Sequence, residues 1–225
     1  AGIADKRWTK ERKEVIVNSR VATANLIFDK IKVQNIPLKG FISASGSNYY
    51  GAQTTAKVFK ESDAVGTDFL GQVCLKWEAA ANQFKDLNIP VTILRTGVVL
   101  SKTGGALEKM RTPIVSPLGS GNQYMAWIHI DDLCNIYIKA VEEGLTGVYN
   151  TVSPESHTSK TFSKTLARAI KRPYLPIPVP GFLLKLVFGE LAIILLEGSR
   201  LSSDKLEKKE FVFKYKELES ALESL

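Results

Sequence analysis

Long charged stretches alternate twice with short apolar runs before residue 100, and this alternation constrains the fold more than any other feature. Residues 9–32 read as one helix. Thr9 caps it, and Val15, Val21, Ala22, Leu26, Ile27 and Ile31 form its apolar stripe. Pro37 closes the segment that ends it. Residues 40–45, GFISAS, are too short for a helix and fit a buried strand. Residues 68–87 read as a second helix, whose Trp77 and alanines 79–81 suit close packing on a sheet. Pro90 stops it, and VTIL at 91–94 is a second buried strand that runs into Arg95-Thr96-Gly97. Strands covered on both faces read as unbroken apolar runs, and parallel neighbours need long crossovers. The predicted class is therefore α/β, with a Rossmann-like parallel sheet covered by helices.

After residue 100 the pattern becomes irregular. Gly104, Gly105, Gly119 and Gly121, with Pro113 and Pro117, mark loops. Residues 126–130 and 148–152 read as strands, with a helix between them that Asp131 can cap and that runs to 143. A helix is expected at 158–171, an extended segment with three prolines at 175–180, and a short amphipathic helix at 215–225. The expected division is a partial NAD(P)-binding Rossmann-like domain at 1–150 and a small C-terminal substrate lobe at 151–225. Residues 100–125 contribute to that lobe. A chain of 225 residues suits one large domain with such an appendix.

Composition narrows the partners. Apolar residues are 44% and charged residues 24%, ordinary values for a chain with a real core. The net charge of +7 suits a phosphate-bearing ligand, a nucleic acid or an anionic membrane. The basic residues are dispersed, and no recognised nucleic-acid motif accompanies them, so no nucleic-acid partner is expected. Cys74 and Cys134 lie in no metal-spaced cluster. No metal site is expected, and the compartment is read as intracellular and reducing: cytoplasm, or a plastid or mitochondrial matrix. The run at 182–196, FLLKLVFGELAIILL, is strongly apolar but is broken by Lys185, Gly189 and Glu190. It falls short of the roughly 20 apolar residues of a membrane span. It reads as two short buried helices or as an interface pair for a protein partner.

No G-x-G-x-x-G turn occurs in this sequence, although a dinucleotide fold holds the pyrophosphate on the backbone N–H groups of such a turn. Either the first two βα units lie outside this chain or the protein binds no dinucleotide, and the remaining pattern favours the first. Several segments then occur in a specific order: Ala4-Asp5-Lys6-Arg7-Trp8 with Ser19-Arg20, Ser43-Ala44-Ser45 with Tyr49-Tyr50-Gly51, and Trp77-Glu78-Ala79-Ala80. Leu94 to Leu100, Gly104 to Leu107, Pro117 to Gly121, Trp127 to Asp132 and Leu195 to Gly198 follow. In this order and spacing the chain resembles the atypical extended short-chain dehydrogenases of the NAD-dependent epimerase family, a group that includes plastid and bacterial proteins linked by name to cell division. The departures are a short loop between Lys109 and Leu118, and Gly46-Ser47-Asn48 where small apolar residues are usual.

The resemblance implies a nicotinamide cofactor, NAD or NADP with NADP favoured, and a small or nucleotide-linked substrate. It places Ala1, Gly2, Ser43, Ala44, Thr96 and Gly97 beside the cofactor. It also implies a Tyr-x-x-x-Lys pair on the helix after the serine-bearing strand, where the lysine lowers the tyrosine pKa. Here Leu70 and Cys74 occupy those positions. Ser45, Tyr49 and Tyr50 are then the candidate catalytic groups, with Lys76 the nearest possible source of charge. His129 reads as a core histidine and Cys74 as a packed thiol. Two functions remain open: an NAD(P)-dependent oxidoreductase or epimerase, and a degenerate dehydrogenase fold acting as a binding or assembly subunit, without cofactor in this truncated chain.

Overall fold

The computed structural model describes residues 2–225, so Ala1 lies outside the described residues. The elements are α1 (Lys10–Gln34), β1 (Phe41–Gly46), β2 (Val58–Phe59), α2 (Phe69–Asn82), β3 (Val91–Thr96), β4 (Val98–Leu100) and α3 (Gly105–Met110). They continue with β5 (Tyr124–Met125), β6 (Trp127–His129), α4 (Ile130–Glu142), β7 (Gly147–Thr151), β8 (His157–Thr158) and α5 (Ser159–Ala169). The chain closes with α6 (Gly181–Phe188), α7 (Ile193–Leu196), β9 (Arg200–Leu201), α8 (Asp204–Glu207) and α9 (Leu218–Glu223).

β1, β3 and β7 form a parallel sheet in that order, with Phe41 opposite Val91 and Ile93 opposite Val148. The fold is thus the expected α/β class. Three short pairs extend the architecture: β4 with β6 and β2 with β9, both parallel, and β5 with β8, antiparallel. Val91, Ile93 and Phe84 pack with Ile31 in a core beneath α1 and α2. On the other side Leu94, Ile128, Ile136 and Tyr149 meet Leu206, Phe211 and Phe213, so the C-terminal segment folds back onto the sheet. A further core joins Leu100, Leu107 and Trp127 to Phe162, Leu166, Leu218 and Leu222.

Local chemistry explains the helix ends. Thr9 accepts the Arg12 N–H at the start of α1, as expected. Asp68 caps α2 with one oxygen accepting from Leu70 and Gly71. α4 departs from expectation: His129 Nδ1 accepts the Asp131 N–H at 3.1 Å, so His129 is the cap. Its ring is buried against Tyr215, and burial lowers its pKa despite Asp131 and Asp132 nearby.

Two further expectations need correction. In α1 the buried side chains are Ile16, Ala24 and Ile31, whereas Val15, Leu26 and Ile27 face outward. α1 packs against α2, and Ile31 shares a core with Ala81 and Phe84; that packing overrides the stripe counted from the sequence. In 182–196 only Leu184, Leu191 and Ala192 are buried, while Phe182 is 70% and Leu186 72% exposed. The segment is therefore not buried within this chain. No helix of the described residues is long and apolar enough to cross a membrane.

Candidate functional site

The three strands end in register at Gly46, Thr96 and Thr151. Ligands of open α/β sheets bind outside this carboxyl edge. The connection from β1 enters a 3-10 turn, Ser47–Tyr50, and α2 starts close by. α1 and α2 run opposite to the strands, so their N-termini lie at the same end. There Trp8 meets Phe69 edge-on at 5.0 Å. Gly2 stays with this end because its carbonyl accepts from Arg12 Nη2 at 2.5 Å.

A buried polar network lies under the turn. Arg95 grips Glu78 with two hydrogen bonds, Nε to Oε1 and Nη2 to Oε2, each 2.8 Å. Ser45 Oγ donates to Glu78 Oε1 at 2.7 Å. Arg95 Nη1 donates to Tyr50 Oη at 2.9 Å, and Tyr50 donates in turn to Asn150 Oδ1 at 2.6 Å. All five side chains are buried. Charges survive in such a place only when paired and fully hydrogen-bonded. Burial opposes the Arg95 charge, but the hydrogen bonds and charge interactions of Glu78 and Tyr50 together outweigh it and raise its pKa. Burial pushes the Tyr50 phenol up to about 12, against the pull of Arg95.

These facts separate the three catalytic candidates. The Ser45 and Tyr50 hydroxyls are both committed inside the protein, and Tyr50 stays protonated near neutral pH. Tyr49 is half-buried, and no hydrogen bond to its hydroxyl occurs among the described residues. The Arg95 guanidinium carbon lies 3.3 Å from the Tyr49 ring centre, so a cation fixes the ring from one face.

The dyad positions are closed. Leu70 and Cys74 are buried, and the Cys74 thiol donates to the Gly46 carbonyl at 3.7 Å. Burial pushes that thiol up to about 11, which makes it inert. Lys76 is exposed and supplies no charge to the site. Of the expected cofactor residues, Ser43 and Ala44 pair with Ile93 and Leu94 inside the sheet, and only Thr96 reaches the strand end. Thr96 Oγ1 accepts from Thr151 Oγ1 at 3.0 Å and donates to Leu94 O at 3.2 Å. At Gly97 a Cβ would sit 2.6 Å from the Ala126 carbonyl, so packing against Ala126 requires a glycine there.

Sequence reasoning missed Glu78 and Asn150 as members of the network. A signal was present: Glu78 is flanked by Trp77 and Ala79, and Arg95 follows the apolar run 91–94. Asn150 carried no such mark. Among the described residues no three His, Cys, Asp or Glu side chains gather as a metal site.

The comparisons with known proteins agree on one lineage. The model of the NAD dependent epimerase/dehydratase family matches residues 1–151, and a domain of unknown function, DUF1731, matches 179–225. An epimerase family protein of Staphylococcus aureus strain MRSA252 is 33% identical over 98% of this chain and 75% of its own length. The crystal structure of the human epimerase family protein SDR39U1 (isoform 2) with NADPH is 32% identical, with a TM-score of 0.90 over 100% of this chain and 78% of that one. The nucleoside-diphosphate sugar epimerase of Corynebacterium glutamicum is 28% identical, with a TM-score of 0.76 over 99% of this chain and 44% of that one. The chain belongs to the NAD dependent epimerase/dehydratase family.

Proposed function

We propose that this chain forms the strand-end and substrate-lobe part of an NADP(H)-dependent oxidoreductase or epimerase acting on a small polar or nucleotide-linked substrate. The observation that carries this reading is the likeness, over the whole chain, to a human relative whose crystal structure is with NADPH. The division into a cofactor part at 1–150 and a lobe at 151–225, with 100–125 joining the lobe, belongs to the same reading. So does a reducing compartment, which suits the two free thiols.

The residues at the strand ends fit the nicotinamide end of such a cofactor. Gly46 brings bare backbone to the carboxyl edge, and Thr96 places a hydroxyl beside it. The pyrophosphate end has no glycine-rich turn in this sequence. When bound, the cofactor supplies hydride transfer. Tyr49 holds the proton: its hydroxyl makes no hydrogen bond among the described residues, and Arg95 stacked on its ring fixes its place. Glu78, Ser45, Tyr50 and Asn150 are positioning residues that keep Arg95 in place.

Titrating the protein with NADPH and NADH while following cofactor fluorescence tests the reading. Enhanced, blue-shifted emission is expected, with NADPH the tighter ligand. No change with either cofactor sinks it. Tyr49→Phe is expected to lower turnover by about 100- to 10,000-fold while leaving cofactor affinity intact.

The second reading, a degenerate fold serving as a binding subunit, draws on Leu70 and Cys74 in the dyad positions and on the bare apolar face of α6. It gains if NADPH fails to bind while α6 variants change the protein's sedimentation.

A further inference from the structure

His129 stands at the junction of β6 and α4, and its two ring nitrogens face different parts of the chain. Nδ1 accepts the Asp131 N–H at 3.1 Å and so caps α4. A backbone N–H can only donate, so the single proton of the neutral ring sits on Nε2. Nε2 therefore donates to Ser224 Oγ at 3.2 Å, and Ser224 in turn donates to the Ala221 carbonyl at 2.8 Å. The ring also packs on Tyr215, with centroids 3.9 Å apart. Both of these contacts fall on one segment, residues 214–225.

A few side chains hold that segment to the lobe. The fully buried Asp132 carboxylate accepts the Lys214 and Tyr215 N–H groups at 2.7 and 2.9 Å. Glu155 accepts the Leu218 N–H at 2.6 Å, and Ser153 Oγ donates to the Lys216 carbonyl at 2.8 Å. Lys214 Nζ donates to Asp131 Oδ2 at 3.0 Å. The same Oδ2 lies 3.9 Å from His129 Nδ1. One carboxylate oxygen thus stands between an ammonium on the segment and an imidazole on β6. The segment matters to the lobe because its Leu218 and Leu222 share a core with Leu100, Leu107 and Trp127.

We propose that His129 is an acid-sensitive latch: a proton on Nδ1 transfers the Asp131 carboxylate from Lys214 to His129 and frees residues 214–225 from the lobe. A proton on Nδ1 sets two donors face to face, and the α4 cap is lost. The ring relieves this by turning Nδ1–H to Asp131 Oδ2. That turn takes Nε2 from Ser224 and the ring from Tyr215, and Lys214 loses its partner. The charges that face the ring are Asp131 and Asp132 on α4 and Lys214 on the segment; Tyr215 packs on it, and β4 brings Leu100 alongside. Burial disfavours the imidazolium and Lys214 adds to this, while the two carboxylates favour it; burial wins, and the pKa falls below the ordinary histidine value. With the folded pKa the lower one, the latch is complete above about pH 6.5 and weakens as the pH falls below it. It operates whichever cofactor or substrate the protein takes.

The test uses the whole chain and follows amide-exchange protection factors from about pH 8 to about pH 5, with the His129 ring titration read by NMR in the same samples. The Tyr215 N–H, on Asp132, and the Ala221 N–H, on the Glu217 carbonyl, report the segment. Their protection is expected to fall by up to about tenfold per pH unit, the limit for one proton, in step with the His129 titration. Ile93 in β3 should keep its protection. His129→Asn retains an oxygen that caps α4 but takes no proton, so the pH dependence should vanish. Asp131→Asn removes the carboxylate that receives the imidazolium, so release should move to lower pH. Constant protection of the segment in the wild type overturns the proposal, and this reading needs no variant, so misfolding cannot hide it. Loss at Ile93 in step with Tyr215 also overturns it, because the whole chain then unfolds. Release that keeps its pH dependence in His129→Asn assigns the effect to Asp132 or Glu155 and overturns it too, as does a release pH unmoved in Asp131→Asn.

Discussion

At the scale of single residues, Arg95 and Glu78 decide most. Both are nearly sealed from solvent, at 3% and 6% exposure, and each satisfies the other twice. Removing one partner leaves a bare buried charge. Glu78→Ala is therefore expected to cost about 3–5 kcal/mol in urea denaturation. Tyr50 gives a prediction with a definite sign. Its phenol titrates at about 12 in the fold, against roughly 10 in an unfolded chain. Below pH 10 both states keep the proton and the contribution is complete. Between pH 10 and 12 the unfolded chain ionises first, so stability falls as pH rises. Denaturation midpoints measured across this window should drop in the wild type, and Tyr50→Phe should flatten that part of the slope. Of the charged pair, Arg95 was singled out in the sequence as a strand-end residue. Its partner across 17 positions was not, because pairing at that distance depends on which way two elements face.

Elements are held by few atoms at their ends. Asp68 accepts two N–H groups at the start of α2, and its other oxygen accepts the Ala52 N–H at 2.6 Å. One carboxylate thus caps a helix and pins the loop that follows the Tyr49–Tyr50 turn. Asp68→Ala should cost about 2 kcal/mol, at the upper end of cap losses, and Asp68→Asn less. Chemical denaturation would reveal it, and a loss below about half a kcal/mol would mean that water replaces the cap. The capping residue Thr9 was legible because cap chemistry is local: a side chain reaches N–H groups two or three positions on. The buried face of α1 was not legible. Its apolar residues are scattered around the helix, and α2 chose among them.

Across the whole molecule, the unresolved balance lies at α6. Leu184 points inward, while Phe182, Leu186 and Val187 point outward. Arg7 donates to the Leu186 and Val187 carbonyls, and Lys13 pairs with Glu190, so the N-terminal segment holds this helix from one side. Leu184→Ala should cost about 2–5 kcal/mol. The double change Phe182→Ser and Leu186→Ser should stay within about 1 kcal/mol in the isolated chain. Sedimentation velocity then reports whether the outward face is covered in solution: a fall in mass on the double change marks an interface, and an unchanged monomer removes that role.

From sequence alone came the α/β class, the parallel sheet implied by long crossovers, and the Thr9 cap of α1. Each depends on composition or on neighbours within a few positions, where sterics and hydrogen-bond reach are short-ranged. Tertiary structure alone decided which hydroxyls are free. Ser45, Tyr49 and Tyr50 look alike in a string, yet Glu78 and Asn150 consume two of them and leave the third against Arg95. It also decided that Gly97 packs against the Ala126 carbonyl. Those outcomes depend on contacts between residues tens of positions apart, whose geometry exists only once the sheet has brought them together.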